Sequence, residues 1–135
     1  MGIKDKINKF ISAHTETKEK HVDKDLQTRY YKTMKDKAFN ELLNIFDQNS
    51  NFKVKSSSVD RGEIIVDGIG KKRIFVIATV VMVAPNRTAI DFAVTTETVL
   101  PMDFGYSATV IKSLYQKVDQ QLEYVGSGLG DQLMK

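Results

Sequence analysis

The 135-residue sequence predicts an α+β fold. It reads as an antiparallel sheet of four to five strands with two helices packed on one face, in the order β-α-β-β-β-β-α, preceded by a short amphipathic N-terminal helix. Three observations carry that reading. Apolar residues recur at helical spacing in two blocks, near 35–48 and 107–125, and between the blocks the period changes to two. Clusters of Gly, Ser, Asn and Pro cut the middle of the chain into segments of strand length. The composition, 41% hydrophobic and 27% charged, is that of an ordinary globular chain long enough for one core.

Ile3, Ile7, Phe10 and Ile11 fall at i, i+4, i+7 and i+8, with Lys4, Lys6 and Lys9 off that stripe, so residues 1–12 read as an amphipathic helix. A helix of about ten residues is marginal alone in water, so this one needs a surface to dock on, protein or lipid. Residues 13–28 hold almost no apolar side chains and read as a polar linker. The compact domain is expected over 29–126. "RYYKTM" supplies its first strand, and Thr33 with Asp36 resembles a capping box for a helix over 35–48. Ala38, Leu42, Ile45 and Phe46 share a face of that helix, which ends at Asn49, Ser50 and Asn51.

"FKVKS" places Phe52 and Val54 on one side and Lys53 and Lys55 on the other, the pattern of a strand wet on one face. "SVDRG" turns the chain, "EIIVD" follows as a strand, and "GIGKK" turns it again into "RIFVIATVVMV", Arg73 to Val83. This segment is apolar on both faces. Phe75, Ile77, Val81 and Val83 can face one layer only if Ile74, Val76, Ala78, Val80 and Met82 face another. The second stripe is the candidate interaction face. Its cover would be the N-terminal helix, a second copy of the chain, another protein partner or a small apolar ligand. "APNR" makes the next turn, and "TAIDFAVTTET" returns with Ile90, Phe92 and Val94 inward. Val110, Ile111, Leu114, Val118, Leu122 and Val125 define a last helix over 107–125, ended by Gly126, with 127–135 as a flexible tail.

The chain has no cysteine, which removes disulfides, thiolate metal sites and thiol nucleophiles. No segment reaches the roughly 18 apolar residues of a membrane span, and no apolar core follows the charged N-terminus, so a cytoplasmic, non-spanning protein is expected. The net charge of +3 is concentrated at one end: residues 1–40 carry ten Lys/Arg against six Asp/Glu, and the remainder ten against eleven. That mild field favours anionic surfaces and falls short of the basic stripe of a nucleic-acid binder. The candidate anion or surface contacts are Lys4, Lys6 and Lys9 on the first helix and Lys71, Lys72 and Arg73 at the Gly-rich turn. A strand, not a helix, follows that turn, so it is read as a hairpin rather than a P-loop.

Asp103-Phe104-Gly105 matches the magnesium-positioning tripeptide of kinases, but the phosphate loop, strand lysine and catalytic loop that make it work are missing. It is read as the approach to the last helix, with Asp103 or Ser107 as cap and Gly105 supplying a permissive backbone angle. His14 and His21 lie in the linker, seven residues apart, which is not a zincin spacing. Asp91 and Glu97 share a strand face but stand roughly 20 Å apart, too far for a carboxylate pair. No catalytic constellation, cofactor or metal is therefore expected. The sequence reads as a non-enzymatic interaction module, and the alternative is a peripheral protein held on an anionic membrane surface by its basic N-terminal helix.

Ile90-Asp91, Thr95-Thr96, Asp103-Phe104-Gly105 and the closing helix occur in that order. From Ile90 onward this arrangement resembles the C-terminal half of a widespread bacterial and chloroplast domain family of unknown function. The family's Arg-Ser-x-Ser-Arg strand stands here as Ala93-Val94-Thr95-Thr96-Glu97. The whole chain is also similar to small cytosolic proteins of Gram-positive bacteria that have no assigned role. The resemblance implies a fold and no activity.

Overall fold

The computed structural model describes residues 14–69, 73–96 and 105–128. Among them seven strands form one antiparallel sheet and two helices accompany it, an α+β architecture. In chain order these are β1 (His14–Glu16), β2 (Arg29–Tyr31), α1 (Lys35–Asp47), β3 (Phe52–Ser58), β4 (Glu63–Ile69), β5 (Arg73–Ala84), β6 (Arg87–Thr96), α2 (Tyr106–Gln121) and β7 (Tyr124–Ser127). The strand order is β3-β4-β5-β6-β2-β7. β1 and β2 lie end to end along one edge of β6, β1 against residues 93–95 and β2 against 88–90. The expected N-terminal helix lies outside the described residues.

Register decides which apolar stripe of β5 is inside. Val76 pairs with Val66 and Val94, Ala78 with Ile64 and Phe92, and Val80 with Ile90. Paired residues share a face, and this one, with Ala38, Phe39, Leu42 and Phe46 of α1 and Ile111, Leu114 and Val118 of α2, forms the core. The stripe expected to face outward is thus the inner one: Ile74, Val76, Ala78 and Val80 are at most 4% exposed, and only Met82, near the hairpin end, is open at 46%. A strand apolar on both sides carries no parity signal of its own. Its neighbours set the parity, and β6 turns Ile90, Phe92 and Val94 inward as its own alternation requires.

Three local expectations are corrected. The capping box does not form: the N-cap position of α1 is Met34, with no side-chain cap. Thr33 is buried, and its carbonyl accepts a hydrogen bond from Thr88 Oγ1 at 2.7 Å, tying the helix start to β6. α2 stops at Gln121, and Val125 and Gly126 belong to β7, where Gly126 pairs with Tyr30 and Ser127 with Arg29. The ladder offered by β2 outweighs a periodicity that would have continued the helix. Ser107 does not cap α2 either; it is buried and shares a 2.6 Å hydrogen bond with Thr15 of β1. The cap position is Gly105, at φ +80°, the left-handed angle expected there.

The largest departure is residues 14–28, which are not a solvated linker. After β1 the chain forms a strap that is closed on itself by Lys18 N donating to Leu26 O and Thr28 N to Lys18 O. Thr17, Leu26 and Thr28 are buried, and Leu26, in a short 3-10 turn (Lys24–Leu26), joins the core. One apolar residue sufficed to anchor a segment whose polar side chains bond one another. Elsewhere, Gly62 sits at φ +64°, where a Cβ would come within 2.1 Å of Val80 O, so the β3–β4 turn admits only glycine.

Candidate functional site

Among the described residues, no helix lies over the sheet face turned away from α1 and α2. By register it carries Ile65 beside Ile77 and Ala93, and Asp67 beside Phe75 and Thr95, with Ile69 beside Arg73 and Val81 beside Ala89. Ile65, Phe75 and Ile77 are partly exposed, Ile69 is 62% exposed and Val81 49%. A row of bulky apolar side chains at this exposure is what marks a contact surface, since single exposed residues are ordinary but a contiguous set is not. Its polar border carries Glu63 and Asp67 on β4 and Glu16 on β1, with Lys53 of β3 beside Asp67 and Arg73 at one end.

Toward β2 the same face is closed by the strap. Asp91 points to this side, and its Oδ1 accepts from Thr17 Oγ1 and from Thr28 Oγ1, both at 2.6 Å. Thr17 also fills the gap between β1 and β2: its N–H donates to Phe92 O, and Phe92 N–H donates to Thr17 Oγ1. Next to it the buried Tyr30 donates its hydroxyl to Glu19. Burial pushes the Asp91 carboxyl above the usual range, and the two threonine hydroxyls pull it only part of the way back. This is a latch for the strap rather than acid–base equipment, because the charged group is spent on two buried hydroxyls. A carboxyl raised on folding contributes its full stability below the unfolded value near 3.8, and that contribution is lost as pH rises through the folded value. Asp91→Asn keeps an oxygen that can accept both hydroxyls. Urea unfolding at pH 3 and pH 7 is expected to show the variant gaining on the wild type as pH rises; a flat difference would mean that burial does not govern this group.

On the helix side, Arg29 of β2 donates Nη2 to Asp119 Oδ2 at 2.8 Å, and Tyr31 donates its hydroxyl to Asp119 Oδ1 at 2.7 Å. The guanidinium lies 4.0 Å from the Tyr124 ring centre and 5.2 Å from that of Tyr115. Arg29 and Asp119, with Asp25, Lys112, Tyr115 and Gln116, line a cleft of about 280 Å³. Lys112 pairs with Asp23 at 3.2 Å. Two cations matched by carboxylates leave the cleft no strong preference for either sign of ligand, and the network serves to fasten β2 and β7 onto α2.

Of the residues singled out from sequence, Lys4, Lys6, Lys9, Lys71 and Lys72 lie outside the described residues, as do Glu97, Asp103 and Phe104. Arg73 is described, exposed, at the start of β5. His21 accepts at Nδ1 from Asp23 N–H. Among the described residues no group of three or more His, Asp or Glu is placed to hold a metal ion, and no helix is long and apolar enough to cross a membrane. Sequence reasoning missed Asp119, Tyr115 and Tyr124. Lys112, Gln116 and Asp119 follow at i, i+4 and i+7, a signal for a polar helix face, but nothing local says that Arg29, ninety positions earlier, completes it. No protein-family model matches the chain, and no curated protein sequence does.

Proposed function

We propose that the chain is a non-enzymatic interaction module that works through the outer face of its sheet, at Ile65, Ile69, Phe75, Ile77 and Val81. The observation that carries this reading is the contrast between the two halves of that face. The β6–β2 half is closed by a strap held with buried hydrogen bonds, while the β4–β5 half presents bulky apolar side chains to water. Burying such a row is worth about 25 cal/mol per Å² of apolar surface, which is the drive for a docking partner.

Thiol labelling tests it, because in a chain without cysteine each introduced thiol is unique. Ile69→Cys in the full chain is expected to react more slowly than Val59→Cys, although Ile69 is the more open of the two among the described residues, at 62% against 47%. A faster reaction at position 69 would mean that the face is wet in the working protein and carries no contact.

One observation favours a second reading, association with an anionic surface. His14 pairs with Thr95 and Thr95 with Phe75, while Ile69 pairs with Arg73, so residues 1–13 and 70–72 attach at the same end of the sheet. The segments that carry Lys4, Lys6 and Lys9 and Lys71 and Lys72 therefore join the described chain at one end of the sheet, near Arg73.

A further inference from the structure

The bare half of the outer face calls for an occupant, and we infer that it is the chain's own N-terminal segment, docked in cis through Ile3, Ile7, Phe10 and Ile11. The inference rests on the reading of this face as a contact surface and adds what fills it.

Four observations agree. The described chain begins at His14, paired with Thr95 on β6, and Thr95 stands beside Phe75 on β5 and that in turn beside Asp67 on β4. The segment therefore leaves the sheet level with the row that contains Phe75, at the border of the bare half. Its length also fits: residues 3–11 as a helix span about 13 Å, and crossing from β1, where His14 lies, to β4 takes three strand spacings, about 14 Å. Ser12 and Ala13 extended reach about 7 Å, which with the helix radius of about 2.3 Å lifts the axis to packing distance above the sheet. The pattern fits a one-sided dock, four apolar residues on one stripe and three lysines off it. Charge agrees as well. Glu63 and Asp67 border the face, and Glu16 lies on its β1 side, so a basic segment meets carboxylates of opposite sign. A second copy would instead bring those three carboxylates toward their own kind, opposed by Lys53 and Arg73.

A helix of this length cannot cover the whole row. Phe75 to Val83 along β5 is about 27 Å at strand rise, so Val81 and Val83, 49% and 47% exposed, stay open when the segment is docked. That difference makes the occupant testable. In the full chain, the pair Ile7→Asp with Phe10→Asp is expected to raise the labelling rate of Ile69→Cys about tenfold, the change for a segment bound about nine-tenths of the time, and to leave that of Val81→Cys unchanged. In a separate full-length variant, Ile7→Cys with Phe75→Cys is expected to oxidise to a disulfide within one chain, seen as a fast-migrating monomer on a non-reducing gel. A dimer band overturns the inference in favour of a second copy. Ile69→Cys still protected after Ile7→Asp and Phe10→Asp also overturns it, while the contact-surface reading stands with another occupant. Ile69→Cys unprotected in the parent chain ends both. Flotation of the chain with phosphatidylserine vesicles, with no disulfide trapped in their absence, assigns the stripe to lipid and overturns docking in cis.

Discussion

Phe92→Ala is expected to cost about 4 kcal/mol of unfolding free energy, within the range of about 3–5 kcal/mol for deleting a buried aromatic ring. Phe92 is 1% exposed and stands opposite Ala78 of β5, so no large neighbour on that strand can lean into the vacated space. Its ring meets Tyr115 of α2 edge-on, with centres 4.9 Å apart, an arrangement that adds about 1 kcal/mol beyond area burial. The site also cannot collapse by moving its backbone. The carbonyl of residue 92 accepts from Thr17 N–H at 2.8 Å, and its N–H donates to Thr17 Oγ1 at 2.9 Å. Tyr115 is fixed separately by its hydroxyl donating to Ile90 O at 2.7 Å. A cavity that its walls cannot fill retains its full cost. Against a total stability of about 5–15 kcal/mol, the variant should unfold at a much lower urea midpoint with an unchanged slope, and Phe92→Leu should recover more than half of the loss. A loss below about 2 kcal/mol would show that the strap yields with the ring and is not the rigid edge its hydrogen bonds describe.

The same residue shows what the sequence could and could not tell. Its inward direction was legible, because β6 alternates cleanly and only one parity puts Ile90, Phe92 and Val94 together. Both helices were legible as well, from four or more apolar residues on one stripe. What closes Phe92 in was not. Thr17 lies seventy-five positions away in a stretch with one buried apolar residue, Leu26, and a polar stretch gives no periodicity when its hydroxyls are spent on a single distant carboxylate. β5 failed for the opposite reason. Having apolar residues on both faces, it left the choice of the inner one to register, which is a long-range property. The stripe expected to be the interaction face, Ile74, Val76, Ala78 and Val80, is therefore the one that faces the core.

Asp119→Ala is expected to cost about 3 kcal/mol, because one substitution strands two donors. Tyr31 is fully buried, and without Oδ1 its hydroxyl has no acceptor from this residue; an orphaned buried hydroxyl costs about 1–3 kcal/mol. Arg29 loses its ion pair but keeps the Tyr124 and Tyr115 rings beneath it. Breaking a wholly buried pair costs about 3–5 kcal/mol, yet here the side chains are 15% and 33% exposed and face a cleft open to solvent, so this part is discounted to about 1 kcal/mol. The two costs are separable. Tyr31→Phe removes the hydroxyl that Asp119→Ala would strand, so the double variant should be more stable than the sum of the singles by at least about 1 kcal/mol. Alkaline pH probes the same contact. Burial first, and the Asp119 bond second, raise the Tyr31 phenol above its ordinary value near 10. The resulting stability is complete below that value and is lost as pH rises beyond it, because the unfolded chain ionises first. Tyr31→Phe should soften that alkaline loss, measured by urea unfolding at pH 8 and pH 11. If instead Asp119→Ala costs less than about 1 kcal/mol and couples to neither Tyr31 nor pH, the pair is an ordinary surface contact, and the attachment of β2 and β7 to α2 must come from apolar packing alone.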